Sequence, residues 1–222
     1  MCFNKETSLF FAIMSTMVVI YKLCTSRLDD VLLIPTFLYT VMEITQYYQY
    51  KVIDQCSNKQ NVYLTYFTWI LEWIQPLMWN FVWYKTTTKN KEIFKFTILY
   101  SLIIFVLGIV RLFYSFNPQF KKRPELQSSN RTCTTSGNVH LKWENRTGHF
   151  KGLEPNWFAY MIMWFLPLIW LRPVNKAIQS ALLFLIGIGA SMMVTGFRWT
   201  DETPSIWCFL TFPGILSSIF MN

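Results

Sequence analysis

The chain has 222 residues, of which 53% are hydrophobic and 18% aromatic, while only 14% carry a charge. A water-soluble helical bundle needs a charged stripe on each helix, and this composition has too few charges for that class of protein. The net charge of +8 is spread over the connectors without interleaved aromatic residues. It therefore indicates affinity for a membrane surface and argues against nucleic-acid binding.

Seven apolar blocks follow one another along the chain, and each is predicted to be a membrane-spanning helix. They cover residues 8–24, 31–50, 62–84, 93–116, 157–172, 177–197 and 204–220. The connectors are short and polar except for one of about 40 residues. The prediction is an all-α polytopic membrane protein, with a single seven-helix domain over residues 1–222 and a long extramembrane loop at 117–156.

Basic residues and glycosylation patterns predict the orientation of the chain. Most of the lysine and arginine of the short connectors lies in one set, at 25–30, 85–92 and 173–176 with the residues that flank them. This bias predicts that these connectors and the C-terminus are cytoplasmic. The loop 117–156 is also basic and argues the other way, but it holds two N-glycosylation acceptor patterns, at Asn130 and Asn145. We therefore predict that the N-terminus and this loop lie outside.

The cysteines provide a further indication of sidedness. Cys2, Cys56 and Cys133 fall on the predicted outer side, where disulfides persist. A disulfide between Cys56 and Cys133 would tie the second connector to the long loop. The alternative is that all five cysteines are free thiols, and an odd total leaves at least one unpaired.

Two Glu-x-x-Gln motifs lie inside apolar blocks, Glu43 with Gln46 in the second block and Glu72 with Gln75 in the third. Helical geometry puts both residues of each motif on one face, together with nearby threonines and, in the second block, tyrosines. At about 1.5 Å per residue, both acids lie near the middle of a membrane. Arg111 in the fourth block lies near the outer boundary and is a candidate counter-charge.

These acids should face the bundle interior, because an ionised acid facing lipid costs at least about 2.5–3.5 kcal/mol. Three states are open: both glutamates are neutral, they share one proton, or one forms an ion pair with Arg111. The same residues could instead only hold helices together through hydrogen bonds. Intramembrane acids also mark proton and ion paths, so the candidate site is Glu43, Gln46, Glu72, Gln75 and Arg111.

Several other kinds of site are not predicted. Both histidines, His140 and His149, lie in the loop 117–156, so no histidine-rich metal centre is expected within the membrane. No serine–histidine or cysteine–histidine pair can be placed at one depth, and no phosphate-binding glycine motif occurs. We therefore predict no cofactor, no metal and no catalytic residues, and rank an intramembrane enzyme third among the functions.

Four short stretches carry a family resemblance: Met1-Cys-Phe-Asn4, the run from Tyr39 to Gln46 leading to Cys56, the pair Gln75-Pro76, and His140-Leu-Lys-Trp143. They resemble an uncharacterised group of seven-helix, multi-pass membrane proteins encoded by large DNA viruses of algae and protists. The resemblance implies a viral envelope or host cell membrane as the location. The matched positions are Cys2, Glu43, Cys56, Gln75 and Pro76. It implies no mechanism, and Glu72 stands where an apolar or amide residue is expected.

The sequence leads to two functional predictions. The first is an integral membrane channel or transporter-like protein that handles protons or small cations through the Glu/Gln site. The alternative is a non-catalytic structural or interaction protein of a viral envelope or host membrane, with the loop 117–156 as its working surface. Either function is compatible with a homo-oligomer in a lipid membrane.

Overall fold

The computed structural model describes residues 4–25, 31–113, 131–147, 157–196, 202–208 and 210, and it is mostly helical. The helices are α1 (Lys5–Thr25), α2 (Leu33–Lys51), α3 (Lys59–Thr86), α4 (Lys91–Phe113), α5 (Trp157–Phe165) and α6 (Val174–Val194). A short 3-10 helix (Leu166–Ile169) follows α5 directly. Two strands, β1 (Cys133–Ser136) and β2 (Leu141–Glu144), lie between α4 and α5. Residues 203–208 are also helical.

The first six apolar blocks each coincide with a helix, although the fifth is divided between α5 and the 3-10 helix. The seventh block is described only as far as residue 208 and at residue 210. The all-α prediction is wrong in one respect, because β1 and β2 pair as an antiparallel hairpin with Cys133 opposite Glu144. Seven spans and the orientation of the termini remain predictions.

Three helices, α1, α4 and α6, are long and apolar enough to cross a membrane, with mean hydropathies of 1.7, 2.4 and 2.0. Many of their large apolar side chains are exposed, including Phe10, Ile13, Ile20, Phe96, Leu99, Ile103, Ile178, Leu182 and Ile186. A soluble monomer rarely exposes so large an apolar surface. This surface suits contact with lipid.

In contrast, α2 and α3 bury polar side chains between their neighbours. The buried polar residues of these two helices include Thr36, Thr40, Glu43, Gln46, Gln49, Asn61, Thr65, Thr68, Glu72 and Gln75. Helix α3 begins at a cap in which the Asn58 side chain accepts a hydrogen bond from the Gln60 backbone N–H. With 28 residues it is about 42 Å long, so it connects the two ends of the bundle.

A proline in α3 and a glycine in α4 determine where the neighbouring helices contact α3. Pro76 lacks the N–H that would bond to the Glu72 carbonyl, and the hydroxyl of Tyr160 in α5 donates to that carbonyl instead, at 3.0 Å. Gly108 in α4 lies against the Trp73 ring, which would be 2.8 Å from any added Cβ atom. The Trp69 indole N–H also donates to the Gly108 carbonyl at 3.0 Å. The proline and the glycine thus provide the places where α5 and α4 dock.

An aromatic cluster fills the bundle toward the C-terminal end of α3. It consists of Trp79, Trp83, Trp164 and Phe184. The Phe184 ring lies 5.3, 6.1 and 4.4 Å from those of Trp79, Trp83 and Trp164. This end of the bundle is therefore packed chiefly by edge contacts between rings.

Candidate functional site

The Glu43 carboxyl and the Gln46 amide are buried one helical turn apart on α2, with 1% and 0% of each residue exposed. Glu43 Oε2 and Gln46 Nε2 have no hydrogen-bond partner in the part of the chain that the structure describes. A buried ionised carboxylate costs several kcal/mol unless it is compensated. The Glu43 carboxyl therefore suits a bound proton or a small cation.

The motif on α3 meets this region through Gln75. Its Oε1 accepts a hydrogen bond from the Tyr39 hydroxyl of α2 at 3.1 Å, and its Nε2 contacts the Cys208 sulfur at 3.4 Å. The Cys208 thiol is close enough to both Glu72 and Glu43 to interact with them electrostatically. The structure thus brings both Glu-x-x-Gln motifs to one buried region around Cys208. Cys208 was not among the site residues predicted from the sequence.

Arg111 is buried near the end of α4. Its Nη2 donates a hydrogen bond to the Thr147 hydroxyl at 3.2 Å. This described bond connects the guanidinium to the segment after β2, and not to either carboxylate. Arg111 therefore links α4 to the long loop.

The β1–β2 hairpin lies against the end of the bundle formed by the C-terminus of α2 and the N-terminus of α3, which we call the hairpin end. Asn61 pairs with the backbone of Thr134 like a neighbouring strand, accepting from its N–H at 2.8 Å and donating to its carbonyl at 2.9 Å. Gln49 donates to the Thr134 hydroxyl at 2.9 Å and accepts from the Trp143 indole at 3.1 Å. The long loop is therefore partly built into the bundle.

His140 connects the hairpin to the candidate site. Its Nε2 is 2.9 Å from Gln46 Oε1, and its Nδ1 is 2.7 Å from the Tyr50 hydroxyl. An amide oxygen can only accept, so Nε2 carries the ring hydrogen and Nδ1 accepts from Tyr50. Burial lowers the pKa of His140 to about 3, so the imidazole is neutral at physiological pH.

The turn between the strands is held by Glu202. Its carboxylate accepts the backbone N–H groups of Asn138 at 3.1 Å, Val139 at 2.5 Å, and His140. Gly137 is required there, because an added Cβ atom would collide with the Glu202 carboxyl and the His140 carbonyl. Neither the hairpin nor Glu202 was predicted from the sequence. The Ser136-Gly137-Asn138 run was the available turn signal.

A disulfide joins Cys56 and Cys133, with an S–S distance of 2.01 Å. It links the connection between α2 and α3 to the first residue of β1. Next to it, Asp54 accepts hydrogen bonds from the backbone and the hydroxyl of Ser136, at 2.8 and 2.5 Å. The hairpin is thus attached to the helices both covalently and by hydrogen bonds.

The structure describes the acceptor asparagine of only one of the two glycosylation patterns. Asn130 lies outside the described residues. Asn145 is 0% exposed, and neither polar atom of its side chain has a hydrogen-bond partner within the described ranges. Thr147 of the same pattern is also buried. A glycan on Asn145 would have to displace this packing, so the arrangement argues against modification at that position.

A model of a family of unknown function, DUF5765, matches residues 6–221 of the chain. The chain belongs to the DUF5765 family. Uncharacterized protein R287 of Acanthamoeba polyphaga mimivirus is 28% identical to it, over 95% of this chain and 91% of that protein. The match to this mimivirus protein supports the resemblance to virus-encoded proteins over nearly the whole chain. The multi-pass topology remains a prediction. No solved structure matches the chain significantly.

Within the described ranges, no group of three or more histidine, cysteine, aspartate or glutamate residues could hold a metal ion. The buried groups that this DUF5765 chain gathers are instead two carboxyls, amides, a thiol, a tyrosine hydroxyl and a neutral imidazole. Such groups exchange protons or form hydrogen bonds with a small ligand.

Proposed function

We propose that the protein spans a viral or host cell membrane and handles protons or small cations at Glu43. The observation that carries this proposal is that neither Glu43 Oε2 nor the Gln46 amide N–H, one turn further along α2, has a partner in the part of the chain that the structure describes. The convergence of Glu72 and Gln75 on the same region gives further support. The apolar surfaces of α1, α4 and α6 support a location within lipid.

The proposal includes seven spans, with the N-terminus outside and the C-terminus cytoplasmic. Two of the basic connectors support it, because they meet at the end of α3 that is opposite the hairpin. The Thr88 N–H donates to the Arg172 carbonyl at 3.1 Å, and the Arg172 N–H donates to the Thr87 hydroxyl at 3.3 Å. Basic connectors on one end and a disulfide-tied hairpin on the other agree with a cytoplasmic and an outer face.

Proton and cation flux tests this function directly. The full chain is reconstituted in liposomes that contain a pH-sensitive dye, and a potassium diffusion potential drives the flux. Glu43→Gln and Glu72→Gln remove one carboxyl each and keep the side-chain size. Glu92→Gln is the matched control, because Glu92 is exposed on α4 and pairs with Lys95 at 2.8 Å.

We expect Glu43→Gln to abolish most of the flux, Glu72→Gln to reduce it, and Glu92→Gln to leave it unchanged. Equal flux from all four proteins, or flux no greater than that of empty liposomes, would contradict the proposal. Thermal unfolding of each variant in detergent separates lost function from lost folding.

A second candidate is a non-conducting structural or interaction protein, and the disulfide-tied hairpin favours it. In that case the buried network only holds the helices and the hairpin together. Glu43→Gln would then lower the unfolding temperature without affecting any flux. A photo-crosslinker at exposed Asn138 would capture a partner in infected cells, whereas one at exposed Glu92 would not. Equal capture at both positions would contradict this candidate.

A further inference from the structure

The Gln46 amide has a fixed orientation beside Glu43. Its oxygen accepts from the N–H of His140 Nε2, and its own N–H group has no partner among the described residues. Residues three apart on a helix are neighbours on its surface, so the side chains of Gln46 and Glu43 lie on the same buried face of α2. Among the residues that the structure describes, the unpartnered groups on this face are thus one carboxyl oxygen and one hydrogen-bond donor.

A carboxyl oxygen next to an amide N–H favours a proton over a metal cation. Hard metal cations are bound by several oxygen ligands, and an N–H group turned toward them is repelled. A carboxyl group that binds and releases a proton accepts a hydrogen bond from an amide N–H in both of its states. If the amide were reversed, its oxygen would join the carboxylate and the site would suit a metal cation.

We infer that His140 is a positioning residue that makes the Glu43 site select a proton over a metal cation, because it holds the oxygen of Gln46. This inference rests on the proposed function and names the cargo of the same site. His140 acts through Gln46 and does not itself touch the proton.

The surroundings of His140 keep it in this role. Tyr50 and Gln46 of α2 face its two ring nitrogens, Glu202 accepts its backbone N–H, and Glu43 lies one turn below Gln46. Burial keeps the pKa of His140 near 3, so the ring stays neutral well below physiological pH. The hydrogen-bond direction from Tyr50 through His140 to Gln46 is therefore constant over that range.

Infrared spectroscopy can test this inference without any flux measurement. The full-length protein is placed in lipid nanodiscs at neutral pH, in sodium chloride or in N-methylglucamine chloride at equal ionic strength. The carbonyl stretch of a protonated carboxyl group is assigned to Glu43 by its absence in Glu43→Gln. His140→Leu removes the donor to Gln46, and His140→Gln keeps a donor at that position. Tyr50→Phe is a milder variant that frees the ring to change tautomer.

In the wild type and in His140→Gln, we expect the Glu43 band to be the same in both salts. In His140→Leu, sodium should displace the proton and remove the band, and Tyr50→Phe should show a partial loss. A band that is insensitive to sodium in Tyr50→Phe and in folded His140→Leu would overturn the inference, as would a wild type without the band. Flux that depends on Glu43 would leave the proposed function standing in either case.

Discussion

The two ends of the bundle are held together by different forces. At the hairpin end, directional hydrogen bonds join helices, strands and a connector, as in the pairing of Asn61 with the backbone of Thr134. Around the aromatic cluster, ring contacts with Phe184 hold three tryptophans in place. A ring cluster tolerates small shifts, whereas a hydrogen bond fails when a donor loses its acceptor. The candidate site at Glu43 and Glu72 therefore lies close to the part of the molecule that depends on directional bonds.

The largest effect is expected in the aromatic cluster. Phe184→Ala removes the ring that contacts all three tryptophans and should lower the free energy of unfolding by about 3–5 kcal/mol. The measurement is denaturant unfolding of the detergent-solubilised protein. Phe158→Ala is the control, because Phe158 is 71% exposed. A loss of similar size in both variants would mean that the cluster does not stabilise this end.

At the hairpin end, Asn61→Leu should destabilise the structure by about 2–3 kcal/mol, because the buried N–H of Thr134 loses its acceptor. The loss should be local. Hydrogen exchange of the amides in β1 and β2 should become faster, while exchange near Phe184 stays unchanged. Asn175→Leu, at an exposed position of α6, is the control. Faster exchange at both ends would show that the two ends unfold as one unit.

A smaller effect is expected from Gly137→Ala. The added methyl group meets the Glu202 carboxyl and should cost about 1–3 kcal/mol, because such overpacking forces the turn or the carboxylate to move. Gly189→Ala is a matched control, since no atom of the described residues lies within 4 Å of a Cβ atom there. Hydrogen exchange at Val139 and His140 reports on the turn. Unchanged exchange in Gly137→Ala would contradict the contact with Glu202.

The smallest effect concerns the response of the hairpin to acid pH at Glu144. Burial raises the pKa of Glu144, but hydrogen bonds from Arg131 and Lys142 outweigh it and hold this pKa below its usual value of 4.5. A lowered pKa in the folded state adds stability above about pH 4.5 that is lost as pH falls through the folded value. Exchange of the hairpin amides, measured relative to the intrinsic rate at each pH, should therefore become faster below pH 4.5 in the wild type and not in Glu144→Gln. Identical pH profiles would exclude this contribution.

The sequence predicted the helices well because hydropathy and period are local properties. Six apolar blocks became helices, and the buried faces of α2 and α3 followed from the spacing around Glu43 and Glu72. The hairpin was not predicted, because each strand has only four residues and lies in a polar, basic segment. Its stabilising partners, such as Gln49 for Trp143, are 94 positions away and give no local signal.

The same reason explains what was missed in the site. Helical geometry grouped residues within α2 and within α3, but it could not bring Cys208 to Gln75 or His140 to Gln46, since these pairs are 133 and 94 positions apart. Both histidines were assigned to an outer loop and set aside. Only the tertiary structure connects one of them to the buried acids.

The bond between Cys56 and Cys133 has a kinetic consequence for the hairpin. A hairpin that detaches from Asn61 and Gln49 remains tethered beside its binding place, at an effective local concentration in the millimolar range for a short tether. Return is then an intramolecular event, faster than the approach of most competing molecules. In an oxidising compartment this tether favours return of the hairpin, whereas after reduction only the longer peptide connections to α4 and α5 would hold it near its binding place.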